Sequence, residues 1–370
     1  MKKFTAVLAV VLLLATAAVI TASAEEITYD YSGVYNSLSQ DAVNSLNALG
    51  IQSADAQALS SLSFEGVMTQ LGNIAGENAA EPMRGLLTIV AVLLLCSMLT
   101  AYKNTLSADI GATMSTAAAL CICCAVTVPA VNFIASAGSV ITNSANLFLA
   151  YIPVVAVMLA SSGKIISSGS YQAAMTAAGQ GVARTCADII LPFMYMFLGI
   201  SITAGIAPEV RLNGFVTMIS KAVKWLLTFV MTVFTAVSAA RQTLSSSLDS
   251  VASRTAKFAL SSFVPVVGGA LAEAYKTVQG SIGVLKSGLG IFVIVAVAVT
   301  FLPVVFRGLG WALCLFVGRA LAEALGVDGC VRLLDALKEV FAALIAVLLC
   351  VMSVFIISTA AAFTIGGEAG

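Results

Sequence analysis

Residues 340–363 read VFAALIAVLLCVMSVFIISTAAAF, a run without one charged side chain. As a helix rising 1.5 Å per residue the run is about 36 Å long, enough to cross a hydrocarbon core of about 30 Å. Working outward from it, apolar runs of spanning length recur at about 84–102, 112–135, 141–161, 187–206 and 289–306. A shorter run at 225–240 has Trp225 at one end and Arg241 at the other, an interfacial aromatic and a snorkelling cation. That makes about seven spans; the run 308–318 is too short to cross alone but joins its neighbours if there is an eighth. The whole composition agrees. The 370 residues are 60% hydrophobic and 10% charged, with a mean hydropathy of +1.03, where a soluble domain carries roughly 25% charged residues. The expected fold is all-α, a polytopic α-helical membrane protein, and a soluble globular chain is excluded.

Composition also excludes chemistry. There is no histidine, which removes Ser-His-Asp and Cys-His arrangements, the HExxH zinc site and histidine proton relays. Most of the eight cysteines lie in or at the edge of apolar runs and read as small packing residues. Cys121-Ile122-Cys123-Cys124 lacks the second CxxC pair or the histidines that a zinc site needs. No nucleophile elbow, P-loop or phosphate-cradling glycine loop is present. Neither a catalytic residue nor a cofactor or metal site is expected, and nothing points to nucleic acid.

Three domains are expected: 1–24, 25–83 and 84–370. In the first, Lys2 and Lys3 precede an apolar stretch that ends at Ala22-Ser23-Ala24, the pattern of a secretory signal peptide; an uncleaved first span is the alternative. Residues 25–82 contain eight acids and no Lys or Arg. Cytoplasmic loops collect Lys and Arg, so this segment belongs outside, as a small helical layer with a mature N-terminus that is extracytoplasmic. The rest carries a net charge of +6, and the 162–186 and 241–287 loops are rich in cations, so both are expected in the cytoplasm. The cations of 207–224 then fall on the wrong side. That segment reads as a helix lying in the interface, as does the one around Arg332–Lys338.

Residues 263–269, Phe-Val-Pro-Val-Val-Gly-Gly, break two amphipathic helices. Leu244, Leu248, Val251, Thr255 and Phe258 form the stripe before the break; Leu271, Tyr275, Val278, Ile282, Leu285 and Leu289 form the stripe after it. The expected element is a central helical hairpin, re-entrant or packed across the bundle, that turns at Pro265, Gly268 and Gly269; a helix–loop–helix lying on the membrane is the alternative. Its aromatic-x-Pro-Val-Val pattern is echoed at Tyr151–Val155 and Phe301–Val305, which makes Pro153 and Pro303 kink candidates. Two i, i+4 pairs, Arg184 with Asp188 and Arg319 with Glu323, read as local ion pairs that lower the cost of charge near the membrane. The polar cluster Asn132, Thr142, Asn143, Ser144 and Asn146 reads as a turn between two spans. Abundant small residues favour lateral assembly, a homo-oligomer included.

The stretch FVPVVGGALAEAYKTV at 263–278 resembles the stage III sporulation protein AE family of endospore-forming bacteria. The likeness extends to LPFMYMFLGISI at 191–202 and SLDSVASRTAKFALSSFVPVVGG at 247–269. The resemblance implies a subunit in the mother-cell membrane around the engulfed forespore, in a multi-protein assembly that forms a channel or secretion apparatus between the two cells. It implies other membrane proteins of the stage III sporulation complex as partners, and it assigns no catalytic residue. The competing expectation is a permease that moves a small solute by alternating access, suggested by the proline-broken spans.

Overall fold

The computed structural model describes residues 32–48, 51, 64–101, 108–161, 164–206, 213–263 and 268–367. The expected signal peptide and Pro265 lie outside them. The chain divides into two compact units, residues 1–33 and 34–370; only Ser32 and Gly33 of the first are described.

Every described element is a helix. Short helices α1 (Ser32–Asn36) and α2 (Gln40–Ala48) precede α3 (Phe64–Ala101), α4 (Ala108–Ser161) and α5 (Ile165–Thr185). A π-helical turn, Cys186–Ile190, leads from α5 into α6 (Leu191–Ile206). Then come α7 (Asn213–Phe263), α8 (Gly268–Ala324) and α9 (Asp328–Gly367). Among the described residues, six helical segments are long and apolar enough to cross a membrane: Gly72–Met98, Thr116–Ser161, Asp188–Ile206, Gly214–Ala240, Phe292–Ala324 and Asp328–Ala360. The chain is an all-α, multi-pass membrane protein.

Seven apolar runs become six helices because 112–135 and 141–161 share α4 without a turn. The polar cluster that suggested one is mid-helix. Asn132, Thr142 and Asn146 are exposed along its outer face, and Ser144 is buried. Asn and Thr cost a helix only tenths of a kcal/mol, which unbroken flanking turns outweigh. The two expected interfacial helices are also absorbed: 213–224 forms the first turns of α7, and 332–338 the first turns of α9. On α7 the buried stripe is Val216, Ile219, Val223 and Leu227, while Phe215 is exposed. Packing against α9 sets that rotation, and local sequence cannot.

The α8–α9 turn shows how a helix is stopped. Gly326 has φ +69°. Its N–H donates to the Glu323 carbonyl at 3.2 Å, and Val327 N–H donates to Ala322 at 2.9 Å. This is a Schellman motif, with Val327 and Ala322 both buried. The same six-to-one bond closes α2 (Ile51 to Leu46, 2.9 Å) and α4 (Lys164 to Leu159, 3.0 Å). A side chain at φ +69° is strained, and nothing lies within 4 Å of an added Cβ there. Gly326→Ala is therefore expected to cost about 1–2 kcal/mol through the backbone alone, read as a lowered thermal midpoint in detergent with membrane insertion unchanged.

Contacts fix the directions. Asn78 meets Arg307, and Gly318 meets Ile89; both pairs are 229 positions apart, so α3 and α8 run parallel. Arg319 meets Asp335, Trp311 meets Phe341 and Phe301 meets Phe355, so α9 returns antiparallel to α8. Phe133 stacks on Phe341 at 5.1 Å and Phe148 approaches Phe355 at 5.0 Å, so α4 runs with α9. These rings, all fully buried, are the core of a four-helix bundle made by α3, α4, α8 and α9. Two of the three aromatic-proline echoes end in it. Tyr151 packs on Phe148 and Phe301 on Phe355, while Pro153 and Pro303 each sit inside an unbroken helix.

With six passes the parity of the chain changes. Tyr35 of α1 stacks on Phe292, near the start of the buried part of α8. The start of α8 lies beyond that same end, since α8 runs from Gly268 toward Phe292 and on to the α9 turn. The N-terminal segment and the 241–287 region were expected on opposite sides of the membrane; the fold puts them at one end, because α4 crosses once where two crossings were counted.

Candidate functional site

Two polar clusters stand out among the described residues, and both bring together residues far apart in sequence. The first is the seam between α3 and α8. Pro82 inside α3 has no N–H to give the Asn78 carbonyl and so weakens the helix there. Glycines let α8 come close: a Cβ on Gly310 would meet Pro82 at 2.9 Å, one on Gly318 would meet Ile89 at 2.9 Å, and one on Gly85 would strike the Trp311 ring. Into this seam Arg307 donates from Nη2 to Asn78 Oδ1 at 3.3 Å, with Nε 3.7 Å from Glu81 Oε2. Cys314 donates its thiol to the Pro82 carbonyl at 3.1 Å. That contact lies one turn beyond the weakened step and ties α8 to the carbonyl of the proline itself.

The second cluster rims the α8–α9 turn. Ser220 donates to Glu339 Oε2 at 2.7 Å, and Lys224 Nζ reaches the same oxygen at 3.3 Å, joining α7 to α9. Asp335 receives Arg319 at 3.3 Å and Lys338 at 2.8 Å. The expected Arg319–Glu323 pair is present at 3.7 Å, but Arg319 lies closer to Asp335. The charged side chains are partly exposed, while Ser220 is buried, so each ion pair contributes at most about 1 kcal/mol.

The expected Arg184–Asp188 pair is not among the ion pairs of the described residues. The π turn that begins at Cys186 carries Asp188 away from the stripe below Arg184. Pro265 lies outside the described residues; α7 ends at Phe263, and Gly268 and Gly269 open α8. Neither Asn78, Glu81, Cys314 nor Glu339 was expected at a site, because no local pattern announces a partner more than a hundred positions away. Chemically, the clusters offer fixed charges and hydrogen-bond donors. Among the described residues no three His, Cys, Asp or Glu side chains converge as a metal site.

A multi-pass helical bundle with polar seams at its interhelical contacts defines the class: an integral membrane protein held together by small-residue packing. The chain belongs to the stage III sporulation protein AE family, which it matches over residues 52–366. It is 23% identical over 238 residues to stage III sporulation protein AE of Bacillus subtilis (strain 168), an alignment that covers 64% of this chain and 59% of that relative. No solved structure matches the chain. By family it is a sporulation protein of the membrane.

Proposed function

We propose that the protein is a non-enzymatic membrane subunit of a sporulation complex, a channel or secretion apparatus in the mother-cell membrane around the forespore, and that it works by presenting helices to partner membrane proteins. The observation that carries this is the family likeness across 52–366, which includes both helices of the α7–α8 pair. From Gly268, α8 runs roughly 30 Å before it reaches the level where α4 and α9 end, by its rise per residue. A long helical pair beyond the bundle is suited to partner helices, since an amphipathic helix gains most of its stability from what it packs on. With the leader removed, the N-terminal segment lies outside the cytoplasm, and on this reading the start of α8, at the same end of the bundle, lies with it. Lys221, Lys224 and Arg332 then lie at the cytoplasmic end, as the positive-inside preference asks; the 241–287 cations depart from it, as do Lys164 and Arg184, which were expected in the cytoplasm.

Deletion of the gene in its host is expected to stop spore development after engulfment. The full chain should restore it, and Pro265→Ala or Gly268→Val, at the hairpin turn, should restore it only in part. Normal sporulation in the deletion strain would overturn the proposal. A growth defect tied to one nutrient would instead favour a permease working by alternating access.

A further inference from the structure

The outer surface of the bundle changes character along its length. Toward the α8–α9 turn it is apolar: Leu87 and Met98 on α3, Val128 on α4, Met196 on α6 and Phe316 on α8 are all more than half exposed. Toward the other end polar side chains are exposed on each helix, with Val157, Ile165 and Ile166 the apolar exceptions. Asn73 and Glu77 are exposed on α3, Asn132, Ser139, Thr142 and Asn146 on α4, and Gln172 and Gln180 on α5.

The switch falls at one level on α3, α4 and α8, and about two turns nearer the N-terminal helices on the α5–α6 passage, where Gly138 faces Leu191. On α3 it lies between Glu81 and Met83, on α4 between Val131 and Asn132, on α8 between Arg307 and Leu309, and on the α5–α6 passage between Asp188 and Ile189. Contacts tie these points together. Glu81 pairs with Arg307, a Cβ on Gly308 would strike Phe133, and one on Gly138 would meet Leu191. The helix irregularities sit there too: Pro82, Pro129, Pro303 and the π turn before Pro192.

We infer that the bilayer surrounds only the apolar end, and that the polar end is a helical body standing in water on the side of the N-terminal helices. Lengths decide between this and a bundle wholly in lipid. The exposed apolar stretch runs from Met83 to Met98 on α3 and from Phe215 to Val233 on α7, about 22 and 27 Å at the helical rise, close to one hydrocarbon core. Exposed Val157, at the far end of α4, lies 37 residues from exposed Leu120, about 55 Å along the axis. To hold both in hydrocarbon the helix would need a tilt beyond the 0–40° that spans adopt. Exposed Glu77 and Glu81 would also face lipid, where carboxylates are rare unless paired inward. So 141–161 and 289–306, apolar enough to span, are the buried interior of the water-facing body.

The test uses the full chain purified in liposomes. Single spin-labelled cysteines, placed in a background with the native cysteines replaced, go at Val128, Ser139, Thr142 and Asn146, all on the outer face of α4; each labelled chain must keep the thermal midpoint of the unlabelled one. A water-soluble nickel chelate is expected to relax the label at 139, 142 and 146, while oxygen dissolved in lipid dominates at 128, so that the depth parameter changes sign between 128 and 139. Oxygen dominance at all four positions, or protection from both reagents at 139–146, would overturn the inference. On the unmodified chain, brominated acyl chains should quench Trp225, exposed on α7 inside the apolar end, and acrylamide should not. The reverse pattern would equally overturn it.

Discussion

Trp311→Ala is expected to be the most damaging single core substitution, lowering stability by about 3–5 kcal/mol. The indole is 1% exposed and lies where α3, α8 and α9 meet. It covers Gly85 and approaches Phe341 at 6.0 Å. Truncation empties the space of a whole ring between helix backbones that glycine has already brought close, so collapse can refill little of it. Phe341 also stacks on Phe133 of α4, so the loss is passed to the fourth helix of the bundle. Trp311→Phe separates volume from chemistry. The buried Nε1 has no hydrogen-bond partner, and phenylalanine keeps most of the packing while removing an unsatisfied donor, so it should cost less than about 1.5 kcal/mol. Unfolding in mixed micelles, followed by helical circular dichroism, checks both. Equal losses for Ala and Phe would show that the ring does not carry the packing ascribed to it.

Gly205→Val comes second. A Cβ at Gly205 would stand 2.6 Å from the Leu333 Cα and 2.8 Å from its Cβ. Backbone cannot rotate aside as a side-chain tip can, so α6 and the first turns of α9 must part. Overpacking in a closed site costs about 1–3 kcal/mol, and the upper part of that range is expected here. Leu333 and Leu334 are fully buried, and Ser201, one turn before Gly205, is buried with them, so the displaced segment is core on both sides. Gly199, on the same helix, has nothing within 4 Å of an added Cβ. Gly199→Ala should therefore be neutral or gain some tenths of a kcal/mol from helix propensity. The contrast between two glycines six positions apart, read as thermal midpoints in detergent, tests the α6–α9 contact directly. If both substitutions were harmless, the helices would not approach as closely as described.

These predictions rest on contacts that no window of sequence contains, and the same division holds for the whole protein. The sequence by itself determined the class. Long uncharged runs can satisfy their backbone only as helices once they leave water, so an all-α membrane bundle followed from 340–363 and its counterparts. Even the Arg319–Glu323 pair was legible, being one helical turn.

What it could not determine was which apolar run faces lipid and which faces protein. Hydropathy is the same in both cases, and only neighbours distinguish them: Phe292, Val293, Ala296 and Val297 are as apolar as any span, yet all are fully buried. The tertiary structure decided that α4 runs unbroken through both apolar runs, which brings the start of α8 to the end that holds the N-terminal helices. It decided that Arg307 answers Asn78 and Glu81 across 229 and 226 positions, and that Glu339, with no basic side chain within four residues except Lys338, is answered by Lys224 of another helix. It also broke the Arg184–Asp188 spacing with a π turn. The physical reason is common to all of these. Periodicity says that a face must be covered, and burial of that face stabilises any apolar partner about equally per unit area. Which helix covers it is set by close-packed complementarity among residues hundreds of positions apart, glycine against ring and carboxylate against guanidinium.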